Sequence, residues 1–422
     1  MNEGTSVTGN LMQAPGVHQF IGDAAEKLVA GRTVLSPLPA TVEPSAVWRA
    51  LKRQLQEADL LAVQVSMQTL PTGVSPAYAL ADFLQIPWKA EGVAALACSD
   101  GLPGVLSLSG FEHLADTQQA LWIDFLVQWT HQSRSINQSG GDPTALCLLS
   151  PAEALLPYLP SAGDLFLSIQ WWWGIPTLLD FRLRCRLGSA VGDDAAHWRE
   201  RLLPELVSGD DTLTDYLWDL CDQNFDGIFS ALKDYASSRG WSPAVLHSWG
   251  AERFQQDRRP EYIFHIEPPV GLRDLWSAGA LHWTPEYGSE LHSAALAALD
   301  LDAHLQHRLW RGQMALVLPL LDQARLTLCE ALTRRHGLDW PVRWICPENE
   351  QDKQRVTANS LACDLGHILY LLHKVPELSG ERTLLPFARE ISRLRNELAH
   401  YRLVCYSDFI YLRSGLSQIS RS

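Results

Sequence analysis

No stretch of about 18 consecutive apolar residues occurs in this chain, and without one no helix is long enough in hydrocarbon to cross a bilayer. The opening residues, MNEGTSVTGNLMQAPG, lack a basic start followed by an apolar run. No secretory signal is read there, and a cytoplasmic protein is expected. Paired cysteines are missing as well. The eight cysteines (Cys98, Cys147, Cys185, Cys221, Cys329, Cys346, Cys363 and Cys405) form no CxxC, and several lie in apolar runs such as TALCLL. Buried, reduced thiols are therefore expected. Cys363 and His367 stand four apart and can share a helix face, but two ligands without neighbours do not hold zinc, so no metal is expected. No lysine follows a glycine anywhere, which removes the GxxxxGK[ST] loop that cradles nucleotide phosphates, and no cofactor is expected. Positive charge is also scarce: 34 Lys and Arg against 48 Asp and Glu leave a net charge of −14. A field of that sign repels a phosphate backbone, so any nucleic-acid contact has to be local.

What the chain does have is length and apolar content. Its 422 residues, 46% of them hydrophobic and 16 of them Trp, are enough for two or three globular domains. Short apolar runs alternate with helical periodicity through the first part: RTVLSPLP, then residues 60–66, 104–110, 144–150 and 164–170. Five such strands separated by helices predict a parallel α/β sheet. Ser45 stands where it can cap a helix through AVWRALKRQL, and Glu112 is placed to open the helix HLADTQQALWIDFLVQW. Trp171, Trp172 and Trp173 cannot all face one way on a strand and read as core filling. After WWWGIP the pattern turns helical, through TLLDFRLRCRL, HWRERLLPELV and LTDYLWDLCDQNFDGIFSALKDYASSRG. Leu281–Trp283 and Ser289–His292 can then pair as a hairpin around Pro285 and Gly288. The hairpin carries Glu286 and Glu290 and no Lys or Arg, which favours protein packing over DNA reading.

From about residue 298 the periodicity is helical throughout. In LWRGQMALVLPLLDQARLTLCEALTRRHGLDWPVRW the apolar positions 316, 320, 324, 328 and 332 predict one buried face, and Gly337 a stop. SLACDLGHILYLLHKV predicts a second helix, followed by a break around Pro376 to Gly380. A last long helix is expected from Leu384 to Cys405, buried along Leu384, Phe387, Ile391, Leu394, Leu398 and Tyr401. Its opposite face gathers Arg389, Arg393, Asn396 and His400, with Arg395 at the edge of the apolar stripe. Residues 380–422 hold seven Arg against four Asp or Glu, so the local excess of cations that nucleic acid needs is here, with Arg389, Arg393 and Arg402 expected to contact RNA.

Within the stretch RLRNELAHYR, residues 393–402, RNELAH is similar to the RNxxxH form of the Arg-x4-6-His motif of the HEPN superfamily. LLDQARLTLCEALTRRHGLDW, with Arg325, also resembles the first helix of some HEPN domains. A chance Arg-His pair at this spacing is expected about once in such a chain, but requiring Asn directly after Arg lowers the expectation to roughly 0.02. The resemblance implies a helical bundle and a metal-independent ribonuclease, with Arg395, Asn396 and His400 as catalytic residues and a homodimer pairing two motifs. It further implies RNA, possibly tRNA, as substrate, in antiphage defence or a toxin system. The order of strands and helices before it resembles the AAA+ and STAND class of P-loop ATPases, without the phosphate loop, and the hairpin resembles the wing of a winged helix. The expected domains are thus a degenerate ATPase-like α/β domain over 1–175, a helical lid and winged helix over 176–297, and an all-α HEPN-like domain over 298–422. Two functions fit this arrangement: a ribonuclease effector restrained by a non-hydrolysing ATPase-like region, or a non-enzymatic adaptor whose bundle mediates dimerisation. In either, the N-terminal or winged-helix region is expected to meet a protein partner, and no membrane is involved.

Overall fold

The computed structural model describes residues 11–87, 92–160, 166–187, 193–207, 209–222, 225–256, 266–344 and 350–421. Cys346 lies outside them. The chain divides into two compact units. One comprises Met1–Leu187, Val207–Asp215 and Lys233–Leu299; the other comprises Gly188–Leu206, Tyr216–Leu232 and Asp300–Ser422. The segment 176–297 is thus shared between the two, and the C-terminal helices begin next to Leu299.

The first unit is built on a five-stranded sheet of β1 (Thr33–Leu38), β2 (Ala62–Ser66), β3 (Val105–Ser109), β4 (Ala145–Pro151) and β5 (Leu167–Ile169), in the order β2-β3-β4-β1-β5. Every pairing is parallel. The central strands are buried along nearly their whole length, which is why they read as continuous apolar runs and not as alternating ones. Helices cover both faces. Pro15–Val29 (α1) and Pro44–Glu57 (α2) pack together on one side, where α2 starts at Pro44 with no side-chain cap, so Ser45 falls inside its first turn. On the other side Asp116–Gln138 (α3) sets Trp122, Phe125, Leu126 and Trp129 against Leu35, Leu106, Leu108, Leu146 and Leu148. Each of these side chains contributes about 1.5–3 kcal/mol by leaving water. The one polar atom Trp129 brings, its Nε1–H, donates to the Thr144 carbonyl at 2.9 Å.

Pro37 is tolerated in central β1 for a positional reason. The N–H groups of β1 that point toward β5 belong to alternate residues, beginning with Thr33, which donates to Phe166 O. β5 pairs only as far as Leu35↔Ile169, so the N–H that Pro37 lacks would point past its end. The hairpin forms as expected, with β6 (Leu281–Thr284) antiparallel to β7 (Gly288–Leu291), His282 opposite Glu290. Trp172 and Trp173 are buried, as core filling requires.

The second unit is helical. Its longest element, Asp302–His336 (α4), runs unbroken through Pro319 and ends at Gly337, whose φ of 85° suits a residue without a Cβ. Its buried residues include Leu305, Leu309, Val317, Leu321, Ala324, Leu328 and Leu332, so positions 316 and 320 are displaced by 317 and 321 from the face expected. At 3.6 residues per turn an every-fourth pattern drifts by 40° per step, and the contact face follows the helix instead. Leu365–Lys374 (α5), Leu385–Ala399 (α6) and Tyr406–Arg421 (α7) complete the bundle, with α4 against α6 and α7, and α5 against α6. The break expected around Pro376 to Gly380 is a 3-10 helix, Pro376–Leu384. Where α7 crosses α6, a Cβ on Gly415 would collide with the Phe387 ring.

Candidate active site

The end of β1 is where an ATPase-like sheet would hold phosphate, and here that position is filled by protein. Ala40 N donates to Ser277 O at 2.8 Å, and Arg239 reaches Ala40 O at 3.2 Å. A Cβ on Gly279, whose φ is +79°, would stand 2.6 Å from Thr41 Cγ2. The space left between Thr41, Trp172, Trp276 and Trp283 is about 20 Å³, room for one water and not for a nucleotide. Glu112 does not open α3 as expected. It lies in a 3-10 turn, Phe111–His113, which extended Leu114 and Ala115 separate from the helix, and Asp116 occupies the first helical turn. Its carboxylate faces its own neighbour, His113 Nε2, at 3.4 Å.

The polar residues of RLRNELAHYR lie on α6 and its C-terminal turn. The helix ends at Ala399 and not at Cys405. His400 caps it, Tyr401 turns into the left-handed region at φ +59°, and the chain reverses. Tyr401 N–H returns to Leu398 O and Arg402 N–H to Glu397 O, the paired bonds of a Schellman end, with tyrosine where glycine is usual. Leu384, Phe387, Ile391, Leu394 and Leu398 are buried as expected. Tyr401 is not: it is 65% exposed, because the stripe stops where the helix does.

Arg395, Asn396 and His400 are all exposed. Arg395, with Asn396 and Ser392, forms one wall of an open groove of about 490 Å³. The other walls are Leu318, Leu321, Asp322 and Arg325 from α4, and Asp364, Leu365 and Gly366 at the start of α5. Among the described residues the Arg395 guanidinium has one hydrogen-bond partner, Asn396 Oδ1 at 3.2 Å. His400 emerges at the end of the same helix and is not part of the groove wall.

The other cations differ in how far their charge is already matched. Arg393 is clamped between Glu390 (3.0 Å from Nε) and Asp408 (2.6 Å), and hydrogen bonding to Glu390 raises its pKa further above the ordinary arginine value. Arg402 approaches Glu397 at 3.5 Å, while Arg389 meets only His373 Nδ1, also at 3.5 Å. Arg325 is committed to structure: it pairs with Asp322 at 2.8 Å and donates to the carbonyls of Leu361 and Cys363. Among the described residues, Arg389 and Arg395 are thus the arginines of α6 without a carboxylate partner.

Sequence reasoning missed the groove, whose walls come from three separate helices. It also missed a buried polar cluster in the first unit, where Asp210, fully buried, accepts from Thr212 Oγ1 (2.7 Å) and Tyr235 Oη (2.6 Å) and faces His292 Nε2 at 3.6 Å. No spacing signal connects residues so far apart in the chain. With both ends of the Asp210–His292 pair out of reach of solvent, the cluster holds the fold and offers no approach to a substrate. The described residues contain no group of three or more His, Cys, Asp or Glu able to hold a metal, and no helix long and apolar enough to cross a membrane. No protein-family model, curated protein or solved structure matches this chain.

Proposed function

We propose that the chain is a HEPN-type, metal-independent endoribonuclease effector, in which a nucleotide-free ATPase-like and winged-helix region restrains the C-terminal bundle until a protein partner engages it. The observation that carries this reading is Arg395: a guanidinium with no carboxylate partner among the described residues, beside Asn396 in an open groove, on the helix that ends in exposed His400. His400 takes the proton of the ribose 2′-hydroxyl, whose oxygen attacks phosphorus, and the 5′-oxygen leaves with a proton. The products are a 2′,3′-cyclic phosphate and a 5′-hydroxyl. Arg395 stabilises the charge gathering on the phosphate, and Asn396 orients it. One imidazole does not serve as base and acid at the same instant, so a second copy of the motif supplies the other role across a homodimer. The parallel sheet, with β1 set between β4 and β5, supports the ATPase-like layout, and the filled end of β1 supports its loss of nucleotide.

The clamping of Arg393 by Glu390 and Asp408 favours a second reading, a non-enzymatic adaptor that uses the same bundle for dimerisation. Incubation of the full chain with total tRNA in the presence of a chelator separates the two. Cleavage that disappears in His400→Ala supports the effector, in antiphage defence or a toxin system. Intact tRNA under every activating condition, with dimerisation retained, supports the adaptor.

A further inference from the structure

Three rings lie in a row at the reversal that follows α6. Tyr401 lies over Trp310 with ring centroids 4.6 Å apart and planes 36° from parallel, and Trp310 continues to His307 at 5.5 Å and 25°. Trp310 is held in place by its own Nε1–H, which donates to Leu398 O at 2.7 Å and so ties the row to the last turn of the helix that carries Arg395 and Asn396. Tyr401 is 65% exposed and His307 is exposed too, so the row ends in solvent on both sides.

Packing alone does not account for Tyr401. The left-handed position that ends a Schellman turn is the one glycine fits without steric cost, and a tyrosine there strains the backbone while leaving its ring largely in water. The ring's immediate chain neighbours are His400 and Arg402, the latter 70% exposed. An exposed aromatic face flanked in the chain by an exposed histidine and an exposed arginine matches the chemistry of an unpaired nucleotide. The base has a π-face to stack, and its phosphate carries the opposite charge.

We propose that the Tyr401–Trp310–His307 row is a base-stacking subsite that receives an unstacked base next to the phosphate handled by Arg395 and His400, which makes single-stranded RNA, and not duplex, the substrate class. This rests on the ribonuclease reading above for the position of the phosphate, but the stacking itself is measurable without cleavage. Stacking is sequence-tolerant, so the subsite selects for unpaired structure more than for a particular base.

The test uses the full chain in a His400→Ala background, so that RNA stays intact, and follows the anisotropy of a labelled single-stranded octanucleotide and of the same sequence as a duplex. Tyr401→Gly removes the ring and relieves the backbone, so it does not threaten the fold, whereas Tyr401→Phe keeps the ring. The expected result is a loss of single-strand affinity of roughly 5- to 100-fold in Tyr401→Gly, near-unchanged affinity in Tyr401→Phe, and weak duplex binding unaffected by either. Single-strand affinity unchanged in Tyr401→Gly, or duplex bound as tightly as single strand, overturns the subsite. The two readings fail separately. Binding that depends on the Tyr401 ring in a chain that never cleaves RNA upholds the subsite and removes only the catalysis. Cleavage lost in His400→Ala together with ring-independent binding does the reverse.

Discussion

Asp210→Asn is the substitution whose consequence the structure fixes most closely. The carboxylate caps the helix Asp211–Leu217 by accepting from Thr212 N at 3.0 Å and Leu213 N at 3.4 Å, besides the hydroxyls of Thr212 and Tyr235. Arg239 approaches at 3.5 Å. His292 uses Nδ1 to accept from Ala294 N at 3.1 Å, which leaves the proton on Nε2, the nitrogen facing Asp210. Burial alone would raise the carboxyl, but the polar contact of His292, with the hydroxyls of Tyr235 and Thr212, outweighs it and holds the group down at about 2 from 3.8. A tenfold change in an acid constant is worth about 1.4 kcal/mol, so this depression contributes about 2 kcal/mol to stability. The substituted side chain would lose that and turn an amide N–H₂ toward groups that are themselves donors. With about 1–3 kcal/mol for the unmet hydrogen bonds, Asp210→Asn should cost about 3–5 kcal/mol at pH 7. The sign of the pH dependence follows from the depressed value. The contribution is complete above the unfolded value near 4, falls by about half by pH 3 and is lost as the pH passes through 2. Urea unfolding followed by tryptophan fluorescence at pH 7, 4 and 3 reads both quantities. Equal midpoints for wild type and Asp210→Asn at pH 7, or a gap that does not narrow between pH 4 and pH 3, would refute the account.

Arg395→Ala should abolish RNA cleavage with a change in unfolding free energy within about 0.5 kcal/mol, because the side chain lines an open groove and covers no core. Arg395→Lys should stay inactive, since an ammonium lacks the planar two-point contact with phosphate; recovery of cleavage by Lys would remove the bidentate role. His400→Ala should lower cleavage by orders of magnitude while melting as wild type does, and a melting temperature that falls by many degrees would make the residue structural. ATP should produce no thermal shift and no phosphate release, given about 20 Å³ at the end of β1; ATP turnover above background by the purified chain would contradict this. Sedimentation should show a monomer–dimer equilibrium, and a monomer at every concentration would leave the single histidine without its partner.

Elements whose signal is local could be read from the order of residues. Parallel strands buried on both faces have to be apolar along their whole length, so β1, β3 and β4 were legible as runs, and the hairpin as two runs around Gly288. The apolar stripe of α6 was legible as far as Leu398, and with it the exposure of Asn396 and His400. Folding settled the rest. A helix end set by a left-handed tyrosine carries no propensity signal, so the expected extension to Cys405 and the burial of Tyr401 both failed at that one residue. Which cations keep their charge available depends on carboxylates brought close by folding: Asp408 on Arg393 from the next helix, and none among the described residues on Arg395. The groove, the filled end of β1 and the Asp210 cluster each join residues far apart in the chain. Periodicity describes which face of a segment is apolar, but not which other segment will lie against it, and it is that second choice that shapes each of these features.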